Sequence, residues 1–349
     1  MAASYFLVLL LFLSLGPHRA LSAAGASPYL YPATFFKNYE RMLTSFKIFI
    51  YTPNNPIAFT APPASLFYDS LLRSRFVTAD ADEAHLFFVP FSPDASTRSL
   101  ARLVRELRGN FPYWNRTLGA DHFFVHPTGF DFTADRNVLE LKKNSVQISV
   151  FPTTSGYFIP HKDVTLPPVS PRALTLPHAP PGEEPPSFLG YLRWDGETES
   201  VMVNELKLDD EFAVESQPSD DLGGGGGVQS SKFCLFLYGA DVAWLPAAMA
   251  SGCVPVIIVD RPIQDLPLMD VLRWSEMAIL VGSTRGAAGL KELLRGVKEE
   301  DYERMRGLCV AAAQHFLWNA EAKPYDAFHM LIYQLWLRRH TIRYARREM

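Results

Sequence analysis

One stretch in the C-terminal half restricts the fold more than any other part of this 349-residue chain. It begins with an apolar run from Lys232 to Leu237 and ends with a second apolar run from Gly252 to Ile258. Each run has the length of a strand, and a glycine turn followed by a short stretch of helix-forming residues separates them. Two apolar strands joined through a helix predict a βαβ unit with parallel, buried strands.

The N-terminal half shows the same alternation of helical and extended segments. The predicted helices lie at residues 32–44, 65–74 and 97–109, and the predicted strands at residues 46–51, 85–90, 121–125 and 145–151. Such alternation predicts a parallel sheet with helices on its faces. Because the chain is long enough for two ordinary domains, we expect two Rossmann-like α/β domains with a cleft between them.

Proline and glycine indicate where these domains begin and end. Nine prolines fall between residues 160 and 186, which predicts a Pro-rich linker at 166–186 between an N-terminal domain (25–165) and a C-terminal domain (187–345). Residues 209–230 are acidic at first and then carry five consecutive glycines. No lysine and hydroxyl follow these glycines at the offsets of a phosphate-binding loop, so we predict a disordered surface loop.

The part of the chain after the βαβ unit contains one further strand and several helices. We predict a short helix at 266–274, a strand at 277–281 and helices at 287–297, 299–318 and 325–342. The last helix leads into an arginine-rich end. These arginines suit a helix C-terminus, and a surface for an anionic polysaccharide or a membrane is the alternative.

The N-terminus predicts entry into the secretory pathway. An apolar run from Tyr5 to Gly16 precedes small residues at 22–24, which fits a cleaved signal peptide (residues 1–24) or a short signal anchor. In that compartment Asn115, within Asn115-Arg116-Thr117, becomes a glycosylation acceptor.

Charge and cysteine content exclude some classes of function. The formal net charge of −4 gives no reason to expect a nucleic-acid partner. The three cysteines, Cys234, Cys253 and Cys309, form no CxxC pair, so a cysteine zinc site is not expected. We expect Cys234 and Cys253 to be small buried hydrophobic residues, and one disulfide with one free thiol is the alternative in an oxidising lumen.

Seven segments, taken together and in this order, resemble the exostosin-type glycosyltransferases, particularly their plant cell-wall branch. They are residues 35–42, 46–51, 84–91, 113–125, 161–164, 231–234 and 252–258. Their order and rough spacing match that family from residue 29 to about residue 281. The resemblance implies a GT-B fold, no metal or other cofactor, a nucleotide-sugar donor and a cell-wall polysaccharide acceptor. It also implies a lumenal domain held at the Golgi membrane by the N-terminus, or a secreted protein if that segment is cleaved.

The segment between the two apolar runs departs from the family pattern. The family usually has Ser-Pro-Arg and then a Glu there, and these Arg and Glu are expected to hold the donor's phosphate and nucleotide sugar. This chain has no arginine between Lys232 and Gly252, and Ala247 stands in place of the Glu. Loss of an arginine–phosphate pair weakens binding by about 1–3 kcal/mol. The departure leaves open a weakened enzyme, a non-catalytic subunit in a hetero-oligomer with related glycosyltransferases, or an incorrectly assembled gene sequence.

The remaining residues of this segment supply the candidate donor site. The turn at Gly239 and Asp241 opens a helix whose N–H groups suit a diphosphate, and Lys232 lies just upstream. Ordinary turn geometry explains the turn glycine equally well. Gly252 is a further donor-site candidate, although it also suits a helix C-cap.

Two polar clusters supply candidates for the general base that an acceptor hydroxyl requires. Asp121 and His122 begin a predicted strand, and His161 precedes Lys162, a candidate cation for the donor phosphate. A strand-edge polar pair and a solvated surface cluster are the alternatives. Asp80-Ala81-Asp82 precedes a strand and suits a turn or cap, so we predict no metal.

Two function classes besides the glycosyltransferase and the silent subunit remain at this stage. A secreted carbohydrate-binding protein would bind glycan without nucleotide. A secreted hydrolase would require two carboxylates that face each other in the cleft.

Overall fold

The computed structural model describes residues 27–52, 57, 59–153, 156–169, 185–194, 200–215, 227–238 and 242–344, with side chains up to residue 339. The predicted N-terminal segment (1–24) lies outside these residues, as does most of the predicted linker. The described helices include none long and apolar enough to cross a membrane.

The first sheet has six parallel strands in the order β2-β1-β3-β4-β5-β6. Its strands are β1 (Ile48–Ile50), β2 (Val77–Thr78), β3 (Leu86–Phe88), β4 (His122–Val125), β5 (Val146–Val150) and β6 (Val164–Leu166). The helices of this part are α1 (Pro32–Ser45), α2 (Ala64–Leu72), α3 (Thr97–Asn110), α4 (Pro112–Thr117) and α5 (Arg136–Asn144). The continuous apolar runs become strands that are buried on both faces, as in β3 and β4.

The second sheet has five parallel strands in the order β11-β10-β9-β7-β8. Its strands are β7 (Phe188–Arg193), β8 (Phe212–Glu215), β9 (Ser231–Leu237), β10 (Val254–Ile258) and β11 (Ile279–Val281). The accompanying helices are α6 (Val201–Leu206), α7 (Leu245–Ala250), α8 (Gly286–Arg295) and α9 (Glu299–Ala313). Two parallel sheets with helices between their strands confirm the predicted GT-B-like α/β class, and β9-α7-β10 is the predicted βαβ unit.

The last helix, α10 (Ala327–Tyr344), returns to the first sheet. The guanidinium of Arg338 donates hydrogen bonds to the backbone carbonyls of Lys162 and Asp163, at 2.7 and 2.9 Å, just before β6. The largest apolar core therefore contains residues from both ends of the chain. The predicted domain boundaries stay predictions.

The strand order of each sheet reverses at one point. In the first sheet β2 lies on one side of β1 and β3 on the other, and in the second sheet β8 lies on one side of β7 and β9 on the other. Crevices therefore open between β1 and β3 and between β7 and β9. Ligands of such sheets bind outside the carboxyl ends of the strands at these crevices. The residues that follow the strands are therefore the ones to examine for chemistry.

Two local predictions are corrected by the structure. Phe212–Glu215 is strand β8, although 209–230 was predicted to be a disordered loop, because its apolar residues complete the edge beside β7. Instead of the predicted helix at 266–274, residues 267–271 form turns and Leu272 forms an isolated β-bridge with Tyr29. Pro267 lies inside that segment, and Leu268 has a left-handed backbone with φ of +61°, a conformation that interrupts a right-handed helix.

The cysteines also differ from the first expectation. Cys234 in β9 and Cys253 just before β10 form a disulfide across neighbouring strands, which was the alternative. Cys309 is a buried free thiol. Adjacent parallel strands bring the two bridged residues within reach of each other, a proximity that the spacing of cysteines in the sequence does not reveal.

Candidate functional site

The carboxyl edges of the two sheets meet at a buried hydrogen-bonded pair. Thr153 follows β5, and Asp265 lies in the loop after β10. The backbone N–H and the hydroxyl of Thr153 both donate to Asp265 Oδ2, at 2.9 and 2.6 Å. The other oxygen, Oδ1, is buried without a hydrogen-bond partner in the described part of the chain. This pair ties the end of one sheet to the end of the other.

Tyr238 connects this pair to an arginine. It directly follows β9, and its hydroxyl donates to Asp265 Oδ2 while accepting a hydrogen bond of 2.6 Å from Arg261 Nη2. The Arg261 guanidinium also lies 4.7 Å from the centre of the Tyr238 ring, a cation–π distance. Burial, with the hydrogen bond to Asp265, raises the pKa of Tyr238, so the hydroxyl stays protonated and holds both neighbours at neutral pH.

Tyr238 and Arg261 line a pocket of about 370 Å³ at the carboxyl ends of β9, β10 and β11. Asp260, on the same wall, accepts hydrogen bonds from the backbone N–H and the hydroxyl of Ser283. Its carboxylate is thereby held at β11. Arg261 forms no ion pair with a carboxylate among the described residues, so its charge is available for an anionic ligand.

The crevice between β7 and β9 brings further polar groups to the same edge. The Tyr191 hydroxyl, in β7, donates to Glu215 at the end of β8. Arg193 Nε lies 4.0 Å from the same carboxylate, and its side chain is almost fully buried. This charged pair therefore borders the place where the strand order reverses.

His126 lies at the carboxyl end of β4 in the first sheet. Its Nδ1 is buried without a hydrogen-bond partner in the described part of the chain. Burial lowers its pKa, although a hydrogen bond to the backbone of Pro93 acts in the opposite direction. In the neutral ring with its proton on Nε2, the unpartnered Nδ1 carries a lone pair.

Asp121 and His122 were the first candidates for the general base. They lie at the amino end of β4 and are completely buried. His122 Nδ1 lies 2.8 Å from Asp121, and its Nε2 lies 2.8 Å from the Tyr51 hydroxyl. Thr117 and Arg116 also donate to the Asp121 carboxylate. Burial lowers the pKa of His122 despite the adjacent carboxylate. In this geometry the pair holds α4 against the sheet and has no exposed face for a ligand.

His161 and Lys162 also lie at the amino edge, because they precede β6. His161 is exposed. Lys162 is buried, donates to the Ser145 carbonyl at 2.6 Å and forms an ion pair with Asp163. Burial lowers the pKa of Lys162, although Asp163 acts against that shift. The structure therefore does not bring these residues to the carboxyl edge with Tyr238 and Arg261.

The other predicted donor residues that the structure describes, Lys232 and Gly252, also lie at the amino edge. Lys232 lies at the start of β9, paired with Glu299 at 2.6 Å and stacked on the Tyr302 ring. Gly252 ends α7 with φ of +81°, and its N–H donates to the Met249 carbonyl, which is the expected C-cap. Lys232 begins its strand and Gly252 precedes the next one, so both lie at the amino edge, away from the pocket. Gly239 and Asp241 lie outside the described residues.

The candidate ligand site lies at the carboxyl ends of parallel strands, where nucleotide-binding sheets bind their ligands. Comparison with known proteins identifies the family. The model of the Exostosin GT47 domain matches residues 42–297, most of the chain. The chain belongs to the Exostosin GT47 family. This match covers both parallel sheets of the GT47 domain and confirms the resemblance to exostosin-type glycosyltransferases.

Individual relatives of this GT47 chain are distant. A probable glycosyltransferase of Arabidopsis thaliana is 28% identical over 341 residues, covering 88% of this chain and 65% of that protein. A probable beta-1,4-xylosyltransferase of the same plant is 27% identical over 306 residues, covering 75% of this chain and 72% of that protein. The chain thus spans slightly less than two thirds of the first relative. Among solved structures, the calicheamicin glycosyltransferase CalG4 overlaps with a TM-score of 0.36 and 9% identity, over 77% of this chain and 94% of that one.

The glycosylation candidate of the GT47 domain is exposed. Asn115 lies in α4 with its side-chain amide donating to the Arg108 carbonyl at 3.0 Å. Thr117, the hydroxyl residue of the same motif, donates to Asp121 at 2.6 Å. The described residues contain no group of three or more metal-ligating side chains, and the expectation of a metal-free enzyme stays a prediction.

Sequence reasoning missed five residues of this site: His126, Thr153, Tyr238, Arg261 and Asp265. None belongs to a family motif that the chain retains, so motif matching did not select them. A usable signal existed for all of them except Asp265, because each of the others follows a predicted apolar strand within three residues. Polar residues in that position lie at the carboxyl edge of a parallel sheet.

Proposed function

We propose that this GT47 chain transfers a sugar from a nucleotide-sugar donor to a cell-wall matrix polysaccharide in the Golgi lumen. Membership of the family supports glycosyl transfer. One relative is a probable beta-1,4-xylosyltransferase, which supports a matrix polysaccharide of the hemicellulose or pectin type as acceptor. The donor's nucleotide binds the second sheet, and the acceptor approaches from the first.

The single observation that carries the donor site is the Tyr238–Arg261 pair. The guanidinium is fixed by a hydrogen bond and by ring stacking, yet it lacks an ion-pair partner among the described residues. A fixed cation at the carboxyl ends of β9 and β10 is placed to bind the diphosphate of a nucleotide sugar. It also stabilises the negative charge that develops on the departing nucleoside diphosphate.

His126 is the proposed general base. Of the described histidines in the first sheet's part of the chain, it is the one that follows a strand at the carboxyl edge. The free lone pair on Nδ1 can accept the proton of an acceptor hydroxyl. The ring packs edge-on against Phe130, with centroids 5.4 Å apart, and Nδ1 is buried, so an acceptor hydroxyl reaches Nδ1 only after a local rearrangement.

Thr153, Tyr238 and Asp265 keep the two edges together during this reaction. Asp265 receives its three hydrogen bonds from both sheets. The same contacts fix Arg261 through Tyr238. Donor binding and the closure of the two edges therefore depend on one hydrogen-bonded cluster.

A second candidate function is a catalytically silent lumenal subunit that supports an active glycosyltransferase. The observation that favours it is the missing family arginine, together with Ala247 in place of the family glutamate. Such a subunit would retain the fold without binding a nucleotide. Nucleotide affinity therefore separates the two functions.

Calorimetric titration of the purified full-length chain with UDP, GDP and UDP-sugars tests the proposal. We expect binding of one nucleotide, and an affinity lower by about tenfold or more in Arg261→Gln, because a charged phosphate contact contributes about 1–3 kcal/mol. Lys232→Gln is the matched control, since it removes a cation at the amino edge and should leave the affinity unchanged. A folded wild-type chain that binds no nucleotide would support the silent subunit instead.

A further inference from the structure

A second pocket, larger than the one lined by Tyr238 and Arg261, lies at the opposite edge of the first sheet. It has a volume of about 680 Å³ and is formed by two segments, residues 70–76 and residues 320–329. The first segment ends α2 and leads into β2, so it lies at the amino end of the strands. The second precedes and begins α10. This groove is separate from the carboxyl-edge site, and its volume falls within the range of ligand pockets, about 300–1,000 Å³.

The charge of the groove is predominantly positive. Arg73 and Arg75 are both exposed on one wall, and Glu321 is the carboxylate on the other. Arg73 Nη2 donates to the Ala320 carbonyl at 3.3 Å, which leaves its remaining N–H groups available. Neither arginine forms an ion pair with a carboxylate among the described residues. A guanidinium in this state offers a planar pair of donors that matches a carboxylate.

An aromatic cluster forms the inner wall. The rings of Phe76, Phe328 and His329 contact one another at centroid distances of 5.4 to 6.4 Å. Asp326 lies 3.0 Å from His329 Nδ1 and fixes that ring. Ser70 and Ser74 add hydroxyl-bearing side chains. Phe76 and Phe328 are almost fully buried, so the cluster forms a rigid floor, and the polar contacts with a ligand come from the exposed arginines at the rim.

We propose that this groove binds an acidic oligosaccharide segment, with the carboxylate of a uronic acid on Arg73 and Arg75. The inference rests on the proposed function, because a matrix polysaccharide acceptor supplies such a segment. A polysaccharide is long enough to occupy the groove and the cleft together. Binding at the groove raises the effective concentration of the same chain at the carboxyl edge.

Glu321 makes the proposal testable in both directions. The Glu321 carboxylate, on the opposite wall, repels the carboxylates of an acidic ligand. It can accept hydrogen bonds only from the hydroxyls of that ligand. Removing its charge should therefore strengthen the binding of an acidic oligosaccharide. Removing the charge of Arg75 should weaken it.

Calorimetry of the full-length protein with oligogalacturonides, and with neutral xylo-oligosaccharides of equal length, tests this. We expect the acidic ligand alone to bind, with affinity falling about fivefold in Arg75→Gln and further in Arg73→Gln/Arg75→Gln, and rising in Glu321→Gln. Arg105→Gln is the control, because it removes an exposed arginine of α3 outside the groove and should change nothing. Added salt should weaken binding.

Four results would overturn the proposal. The first two are that the acidic ligand does not bind, or that the neutral ligand binds equally well. The third is that Glu321→Gln changes the affinity in the same direction as Arg75→Gln. The fourth is that a poly-glutamate peptide binds more tightly at the same residues, which would indicate a protein partner. The nucleotide titration on the same sample separates the two proposals. Nucleotide binding without oligosaccharide binding rejects the groove alone, whereas oligosaccharide binding without nucleotide binding rejects the proposed transferase and leaves the groove's ligand preference standing.

Discussion

Thr153 donates two hydrogen bonds to one oxygen of Asp265, across 112 residues of chain and between the ends of two different sheets. One bond comes from the backbone and one from the hydroxyl. Because the acceptor is a carboxylate, each bond is stronger than one between neutral groups. This contact connects the strand ends at which the proposed donor and acceptor meet.

Substitution of Thr153 should weaken that connection. Thr153→Ala keeps the backbone donor and loses the hydroxyl, so we expect the free energy of unfolding to fall by about 1–3 kcal/mol. Thr153→Ser retains a hydroxyl and should lose much less. Urea unfolding of the three proteins measures this difference. Equal stability of the alanine variant and the wild type would mean that the hydroxyl contributes nothing there.

His126 and His161 should differ in their effect on turnover. His126→Gln removes the proposed base at the carboxyl edge, so kcat should fall by about 100-fold or more while nucleotide affinity is unchanged. His161→Gln alters an exposed residue at the amino edge and should leave both quantities as they are. In the wild type, kcat should fall at acidic pH as the base becomes protonated, and this fall should be absent in His126→Gln. The opposite pattern would return the role of base to His161.

His315 makes the folded chain sensitive to acid. It is fully buried between the Tyr29 hydroxyl and the Tyr325 carbonyl, and burial lowers its pKa from 6.5 to about 4. Below about pH 6.5 the unfolded chain binds a proton that the native chain does not bind, so stability falls as pH falls. The loss amounts to roughly 3 kcal/mol by about pH 4. His122, whose pKa is also lowered by burial, adds to it in the same direction.

Unfolding free energies measured across this pH range test the prediction for His315. His315→Gln should be less stable at neutral pH, yet its stability should depend less on pH between about 6.5 and 4. Parallel pH profiles for the variant and the wild type would contradict the account. They would mean that the group responsible lies elsewhere.

The disulfide predicts the number of reactive thiols. Denatured but unreduced protein should contain one free thiol, Cys309, because Cys234 and Cys253 are bridged. The folded protein should show none, since Cys309 is buried and burial raises its pKa. Cys234→Ala/Cys253→Ala should lower the free energy of unfolding by about 3 kcal/mol, because the bridge closes a loop of 19-residue separation. Three thiols before reduction would exclude the bridge.

The sequence predicted the strands and helices where hydrophobic spacing was strong. The run from Ser231 to Leu237 and the run from Val254 to Ile258 became neighbouring parallel strands. Prediction failed at β8, a four-residue edge strand beside an acidic and glycine-rich stretch. It failed also at 266–274, where Pro267 and the left-handed Leu268 prevent a helix.

The site was less predictable, because it depends on strand direction and on packing between distant segments. Family motifs drew attention to Lys232, at the start of β9, and to Lys162, just before β6, and both lie at the amino edge. Tyr238 and Arg261 follow their strands, a distinction that the sequence already contained. The contact of Thr153 with Asp265 was beyond sequence reasoning, since it requires the two sheets to be positioned against each other.

Sugar transfer by the purified full-length chain tests the central claim most directly. The chain is incubated with single UDP-sugars and with xylan or pectin oligosaccharides, and the products are weighed by mass spectrometry. The account predicts oligosaccharides longer by one sugar with one donor, and a loss of that product in Arg261→Gln but not in Lys232→Gln. Absence of extended products with every donor, from a folded protein, would contradict the claim that this chain is an active glycosyltransferase.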